Sequence, residues 1–92
     1  MSVVLSRSVE ICNKKGLHAR ASAAFARLAL QYDARIKVTH EDMSADAASI
    51  MDLLMLTAHK GCVVEVSAEG AEADAALSAA VDLIENRFGE DE

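Results

Sequence analysis

Val3, Leu5, Val9 and Ile11 are separated by mostly polar neighbours, the period-two pattern of a half-buried strand. Asn13-Lys14-Lys15-Gly16 interrupts it and reads as a loop. The period then changes. Phe25, Leu28, Ala29 and Tyr32 recur at i, i+3, i+4 and i+7, which predicts an amphipathic helix over about 18–32. Ile36 and Val38 alternate with Arg35, Lys37 and Thr39 as a second strand, and Met43 to Ala45 form a short third one. Ser49 opens a compact helix that runs to about Ala58. Lys60-Gly61 turns the chain into a fourth strand, Cys62 to Ala68, and Glu69-Gly70 turns it again. Ala73, Ala76, Leu77, Ala80, Val81, Ile84 and Phe88 fall on one face of a last helix that Gly89 is placed to end. The tail, Glu90-Asp91-Glu92, is expected to fray.

The predicted order is βαββαβα, with no repeat or linker. Four short strands and three helices in 92 residues predict one α+β domain over residues 1–92, an antiparallel sheet with its helices on one face. A chain this short holds one core and one shallow site. Hydrophobic residues make up 52% and aromatics only 3%, so the core is aliphatic and alanine-rich.

The N-terminus carries no apolar run of signal-peptide length, and no segment reaches the length of a membrane span. A cytoplasmic protein without membrane insertion is expected. Cys12 and Cys62 form neither a CxxC pair nor a zinc spacing, and free thiols are expected. No histidines have metal-ligand spacing, and no metal or cofactor is expected; His40 and His59 are read as solvent-facing.

The net charge is −6, which argues against nucleic acid as a partner. The charge is unevenly placed. Residues 1–40 carry Arg7, Lys14, Lys15, Arg20, Arg27, Arg35 and Lys37 against Glu10 and Asp33, whereas residues 65–92 carry nine acids against Arg87 alone. The basic N-terminal part suits a local anion or an acidic protein surface.

His18 stands where the first loop ends and the first helix begins. The first N–H groups of a helix have no partner within it and point outward at the positive end of the dipole. Here these are the amides of Ala19, Arg20 and Ala21, which suit a phosphate. Arg20 adds a forked, charge-assisted contact, and Gly16 permits the backbone angles of a tight approach. Phosphohistidine is labile enough to be passed on, so a relay is the natural use of such a histidine.

Gly16-Leu17-His18-Ala19-Arg20 resembles the phosphorylation motif of the HPr family, histidine-containing phosphocarriers of the bacterial phosphoenolpyruvate-dependent phosphotransferase system. Ser49-Ile50-Met51 resembles that family's regulatory-serine segment, and Lys60-Gly61 and the last helix fall at matching positions. The resemblance spans nearly the whole chain. It implies an open-faced sandwich and a phosphoryl group on Nδ1 of His18, contacted by Arg20. Enzyme I, or its nitrogen-branch counterpart, is implied as donor and an Enzyme IIA protein as acceptor. A bifunctional serine kinase/phosphatase acting on Ser49 is a further expected partner, and the carrier, not itself an enzyme, is expected to be a monomer. Two positions depart from the family pattern. Ala21 stands where proline is frequent and keeps one more N–H near the phosphate; Asp52 stands where glycine is common. Ala21-Ser22 is similar to proteobacterial versions, including those of the nitrogen branch. The family's sheet sets the first and fourth strands side by side, which implies that Cys12 and Cys62 can face each other.

The second helix has more apolar surface than a core contact needs. Leu53 and Leu56 supply that contact, leaving Met51, Leu54, Met55 and Ala58 on another stripe. Such surplus, rich in adaptable methionine, points to a protein interface. The resemblance assigns docking to Ile50, Met51 and Leu54, with Arg27 beside them. The alternative function is a small-ligand-binding regulatory α/β sandwich without phosphotransfer. A metal-binding module lacks a ligand cluster.

Overall fold

The computed structural model describes residues 4–92; Val3 of the predicted first strand lies outside them. The elements follow the expected order: β1 (Val4–Glu10), α1 (Ala19–Ala29), β2 (Arg35–His40), β3 (Met43–Asp46), α2 (Ile50–Met55), β4 (Val63–Glu69) and α3 (Ala73–Glu85). A short 3-10 turn, Arg87–Gly89, follows.

The four strands make one antiparallel sheet in the order β1-β4-β2-β3. Its register places Val9 opposite Val64, Val38 opposite Val66 and Val38 opposite Ala45, all buried. The intervening residues emerge on the other face, where Ser6 meets Ser67, Ser8 meets Glu65 and Lys37 meets both Ser67 and Asp46. With a side-chain period of two, a one-residue slip would exchange these rows, so the hydrophobic set fixes the register. The helices cover the apolar face: α3 packs on β1, β4 and β2, α2 on β3, and α1 on α2 and α3. Phe25, Leu53 and Ile84 bring one fully buried side chain from each helix, each contributing about 1.5–3 kcal/mol by leaving water.

Several boundaries differ from the expectation. Helix α1 stops at Ala29, short of residue 32, because Gln31 N–H turns tightly onto the Leu28 carbonyl (3.0 Å). Tyr32 still packs against the core, but from the turn. Helix α2 is shorter than 49–58, with Ser49 as its N-cap.

The last helix departs most. It ends at Glu85, and Gly89 does not cap it. Arg87 and Phe88 both take left-handed backbone angles (φ 58° and 55°), a conformation costing an L-residue about 1–2 kcal/mol. The compensation is Phe88, buried with its ring centroid 6.3 Å from that of Phe25. The reversal returns the chain along α1, so Glu90–Glu92 does not fray as expected. Lys14 N–H donates to the Glu92 carbonyl (3.0 Å), and the Lys14 ammonium lies 3.3 Å from the Glu92 carboxylate.

Two smaller expectations also change. His40 is half-buried, its Nδ1 3.1 Å from the Leu56 carbonyl at the end of α2; His59 is exposed, as expected. Cys12 and Cys62 are free and do not face each other. Ile11 N–H donates to the Cys62 carbonyl (2.8 Å), so Ile11 is the residue opposite Cys62, while the Cys12 thiol reaches the Ile84 carbonyl at 3.3 Å.

Candidate functional site

The site is the loop between β1 and α1. Reciprocal bonds between Ile11 and the 61–62 segment carry the β1 pairing to the loop's edge: Ile11 N–H to the Cys62 carbonyl and Gly61 N–H to the Ile11 carbonyl, both 2.8 Å. The chain then turns tightly. Gly16 N–H donates to the Asn13 carbonyl (3.2 Å), and the Asn13 amide donates back to the Gly16 carbonyl (2.8 Å). Gly16 has φ +63° and lies against the backbone of Ala58 and His59. Leu17 N–H donates to the Ala58 carbonyl (2.9 Å), and the Leu17 side chain is buried. The loop is therefore fixed to the chain that follows α2.

His18 is the N-cap of α1, in extended backbone, and its side chain makes no capping bond. Its carbonyl accepts from Ser22 N–H at 2.8 Å, the first bond of the helix. The amides of Ala19, Arg20 and Ala21 precede that bond and have no acceptor within the helix. The imidazole is thus not committed to the helix backbone and stands at the positive end of an eleven-residue helix. Lys14, Lys15, His18, Arg20, Glu90 and Glu92 line a shallow hollow of about 120 Å³. It is well below the roughly 300–1,000 Å³ of small-molecule pockets and suits a single anionic group. Arg20 is exposed, and among the described residues it forms no ion pair.

Two members of the site escaped the sequence reading. Glu90 Oε2 lies 2.5 Å from His18 Nε2, and Glu90 Oε1 accepts from the Asn13 amide at 3.0 Å. Asn13 is fully buried and so joins the loop to the tail through one side chain. Burial acts to raise the pKa of the Glu90 carboxyl, but the bonds from Asn13 and His18 and the charges of His18 and Arg20 outweigh it. The net result holds Glu90 below the ordinary carboxylate value. A separation of 72 residues leaves no local signal for this contact, which depends on the left-handed turn at Arg87 and Phe88.

On α2, Ile50, Met51 and Met55 are exposed, at 41%, 67% and 61%. Leu54 is half-buried, and Leu53 and Leu56 are in the core as expected. Ala58 is buried and does not belong to the exposed stripe, because its carbonyl receives Leu17. Ser49 Oγ accepts from Asp52 N–H at 3.2 Å, and Arg27 is exposed in the last turn of α1.

A family model described as the phosphorylation site of the PTS HPr component matches residues 5–86. A phosphocarrier protein HPr of Neisseria meningitidis serogroup A is 46% identical over 89 residues, covering 97% of this chain and 100% of its own. A phosphocarrier protein NPr of Shewanella violacea is 44% identical over 86 residues, 94% of each chain. The crystal structure of HPr-C-His from Thermoanaerobacter tengcongensis superposes with a TM-score of 0.91 at 41% identity, covering 96% of this chain and 99% of that one.

Proposed function

Because the chain belongs to the HPr family, it is a phosphocarrier of the phosphotransferase system, and from that premise we propose that it carries its phosphoryl group on Nδ1 of His18. The supporting observation is the place of His18, at the N-cap of α1 beside Arg20, Lys14 and Lys15. In the transfer the lone pair of Nδ1 forms a bond to phosphorus while the bond from phosphorus to the donor atom breaks, its electron pair leaving with the donor. The amides of Ala19, Arg20 and Ala21 and the Arg20 guanidinium receive the phosphoryl oxygens. Return transfer to the acceptor runs the same steps backwards.

Family membership implies Enzyme I and Enzyme IIA proteins as partners. The finer assignments are part of this proposal. Residues 1–92 act as one domain and as a monomer in the cytoplasm. Ile50, Met51 and Leu54, with Arg27, form the surface the partners grip. Ser49 is a regulatory position, open to a kinase/phosphatase because it begins α2 at the edge of that surface. Identity to an HPr and to an NPr is nearly equal, 46% and 44%, so the donor is either Enzyme I or its nitrogen-branch counterpart.

The test is incubation with phosphoenolpyruvate and each purified Enzyme I, followed by intact mass and acid treatment. One added phosphoryl group, lost in acid and mapped to His18, is the expected outcome. An unmodified mass with both donors overturns the assignment.

A further inference from the structure

We propose that Glu90 is a positioning residue for this reaction: its carboxylate holds the proton of His18 on Nε2 and so keeps the lone pair of Nδ1 free for the phosphoryl group. The inference rests on His18 being the phosphorylated residue. A neutral imidazole carries one proton, on either nitrogen, and the hydrogen bond at one nitrogen sets what the other can do. Glu90 Oε2 stands 2.5 Å from Nε2. A carboxylate held below its ordinary pKa only accepts at that contact, so the donor is Nε2–H and the nitrogen left with a lone pair is Nδ1. Glu90 is itself directed. Its other oxygen accepts from Asn13, whose amide group also ties the Gly16 carbonyl. The order Asn13–Glu90–His18 is that of an orienting donor, an acceptor and the ring that bears the nucleophilic nitrogen.

The arrangement also acts during the transfer. As the bond from Nδ1 to phosphorus forms, the ring gains positive charge while Nε2 keeps its proton. The Glu90 carboxylate faces that charge without moving. When the phosphoryl group leaves, the electron pair of the Nδ1–P bond returns to the ring and the same hydrogen bond remains. No proton is gained or lost in either direction.

Glu90→Gln separates this role from a tether. Asn13 can donate only to the carbonyl oxygen of Gln, which turns the Gln NH₂ towards Nε2. That donor forces the lone pair onto Nε2 and the proton onto Nδ1. The two readouts are the imidazole nitrogen signals of 15N-labelled protein at alkaline pH and the initial rate of phosphoryl acceptance from Enzyme I. Native protein is expected to show His18 protonated at Nε2. Glu90→Gln should shift the population towards Nδ1–H and slow acceptance roughly tenfold or more, the difference between a charged and a neutral hydrogen bond being on that scale. Glu90→Ala, which removes the contact without supplying a donor, should slow acceptance without enriching Nδ1–H. Native tautomer in Glu90→Gln, or native rates in both variants, overturns the proposal. Native protein protonated at Nε2 yet unlabelled at His18 overturns the phosphocarrier site itself, a separate outcome.

Discussion

Gly16 and Ala58 are in such close contact that a side chain does not fit between them. A Cβ on Gly16 would lie 2.5 Å from the Ala58 carbonyl oxygen and 2.7 Å from the Cα of His59. Both obstacles are backbone, and Gly16 also has a positive φ of 63°. Gly16→Ala therefore combines a left-handed conformation, which costs about 1–2 kcal/mol, with a clash that only backbone movement relieves. A fall in melting temperature of about 10 °C is expected, since 1 kcal/mol corresponds to roughly 4–8 °C in a domain of this size. Thermal unfolding followed by circular dichroism measures it; an unchanged melting temperature would show that the loop yields freely.

His18→Ala should abolish acid-labile phosphorylation and leave the fold intact, because His18 makes no capping bond and packs at the surface of the site. The paired measurements are radiolabelling from phosphoenolpyruvate and a far-ultraviolet spectrum. Labelling that survives the substitution places the acceptor elsewhere.

Arg20→Ala should slow transfer without stopping it. The helix amides still face the phosphoryl oxygens, and the lost charge-assisted bond is worth about 1.5–3 kcal/mol, or roughly ten- to a hundredfold in rate. Rapid-quench transfer kinetics equal to those of the native protein exclude a phosphate contact from Arg20.

Ser49→Asp should keep stability and lose transfer. Aspartate is as good an N-cap as serine and can accept the Asp52 N–H in place of Ser49 Oγ. The new charge stands next to the exposed Ile50 and Met51, the apolar surface proposed for partner docking, and the neighbouring Asp46 and Asp52 already add negative charge. Melting temperature and acceptance rate from Enzyme I, taken on one preparation, decide the matter. A native rate reduces Ser49 to a cap.

The tail makes stability depend on acid. The Glu90 pKa is lowered from the ordinary value of 4.5. A carboxyl with a depressed folded pKa contributes stability that is present above its unfolded pKa and lost as pH falls through the folded value. Native protein should therefore lose stability below about pH 4.5 more steeply than Glu90→Gln, as read from denaturant midpoints at stepped pH. Parallel curves for the two proteins would show that the contact gives no net stabilisation.

The sheet and the place of His18 were legible because they follow from local patterns. Val9 and Ile11 alternate with polar residues, Phe25, Leu28 and Ala29 mark one helical face, and His18 stands where the loop between those two patterns ends. The apolar excess of α2 is visible in the sequence too, but Ala58 departs from the stripe its spacing predicts, since its burial comes from backbone contact with Gly16 and Leu17 rather than from its own periodicity. The end of α3 was hidden for a similar reason. Phe88 fits the helical spacing after Ile84, yet it reaches the core through two left-handed residues that no spacing reveals. Glu90 and Asn13 were hidden by distance along the chain, and an acidic last turn of sequence ordinarily signals solvent.

Helices α1 and α2 are neighbours on one side of the sheet, and the loop bearing His18 is fastened to the end of α2. Two proteins that each grip this side, as proposed above, would compete for it, and a donor and an acceptor would not sit on the carrier together. Delivery becomes a matter of residence time. With association at about 10⁵–10⁷ per molar per second, a complex of nanomolar affinity would hold the carrier for about a minute or two at the fast end of that range and for hours at the slow end, and throughput would fall to its rate of escape. Such a surface rewards weak, quickly abandoned encounters, and a substitution that tightened either one would stall the relay.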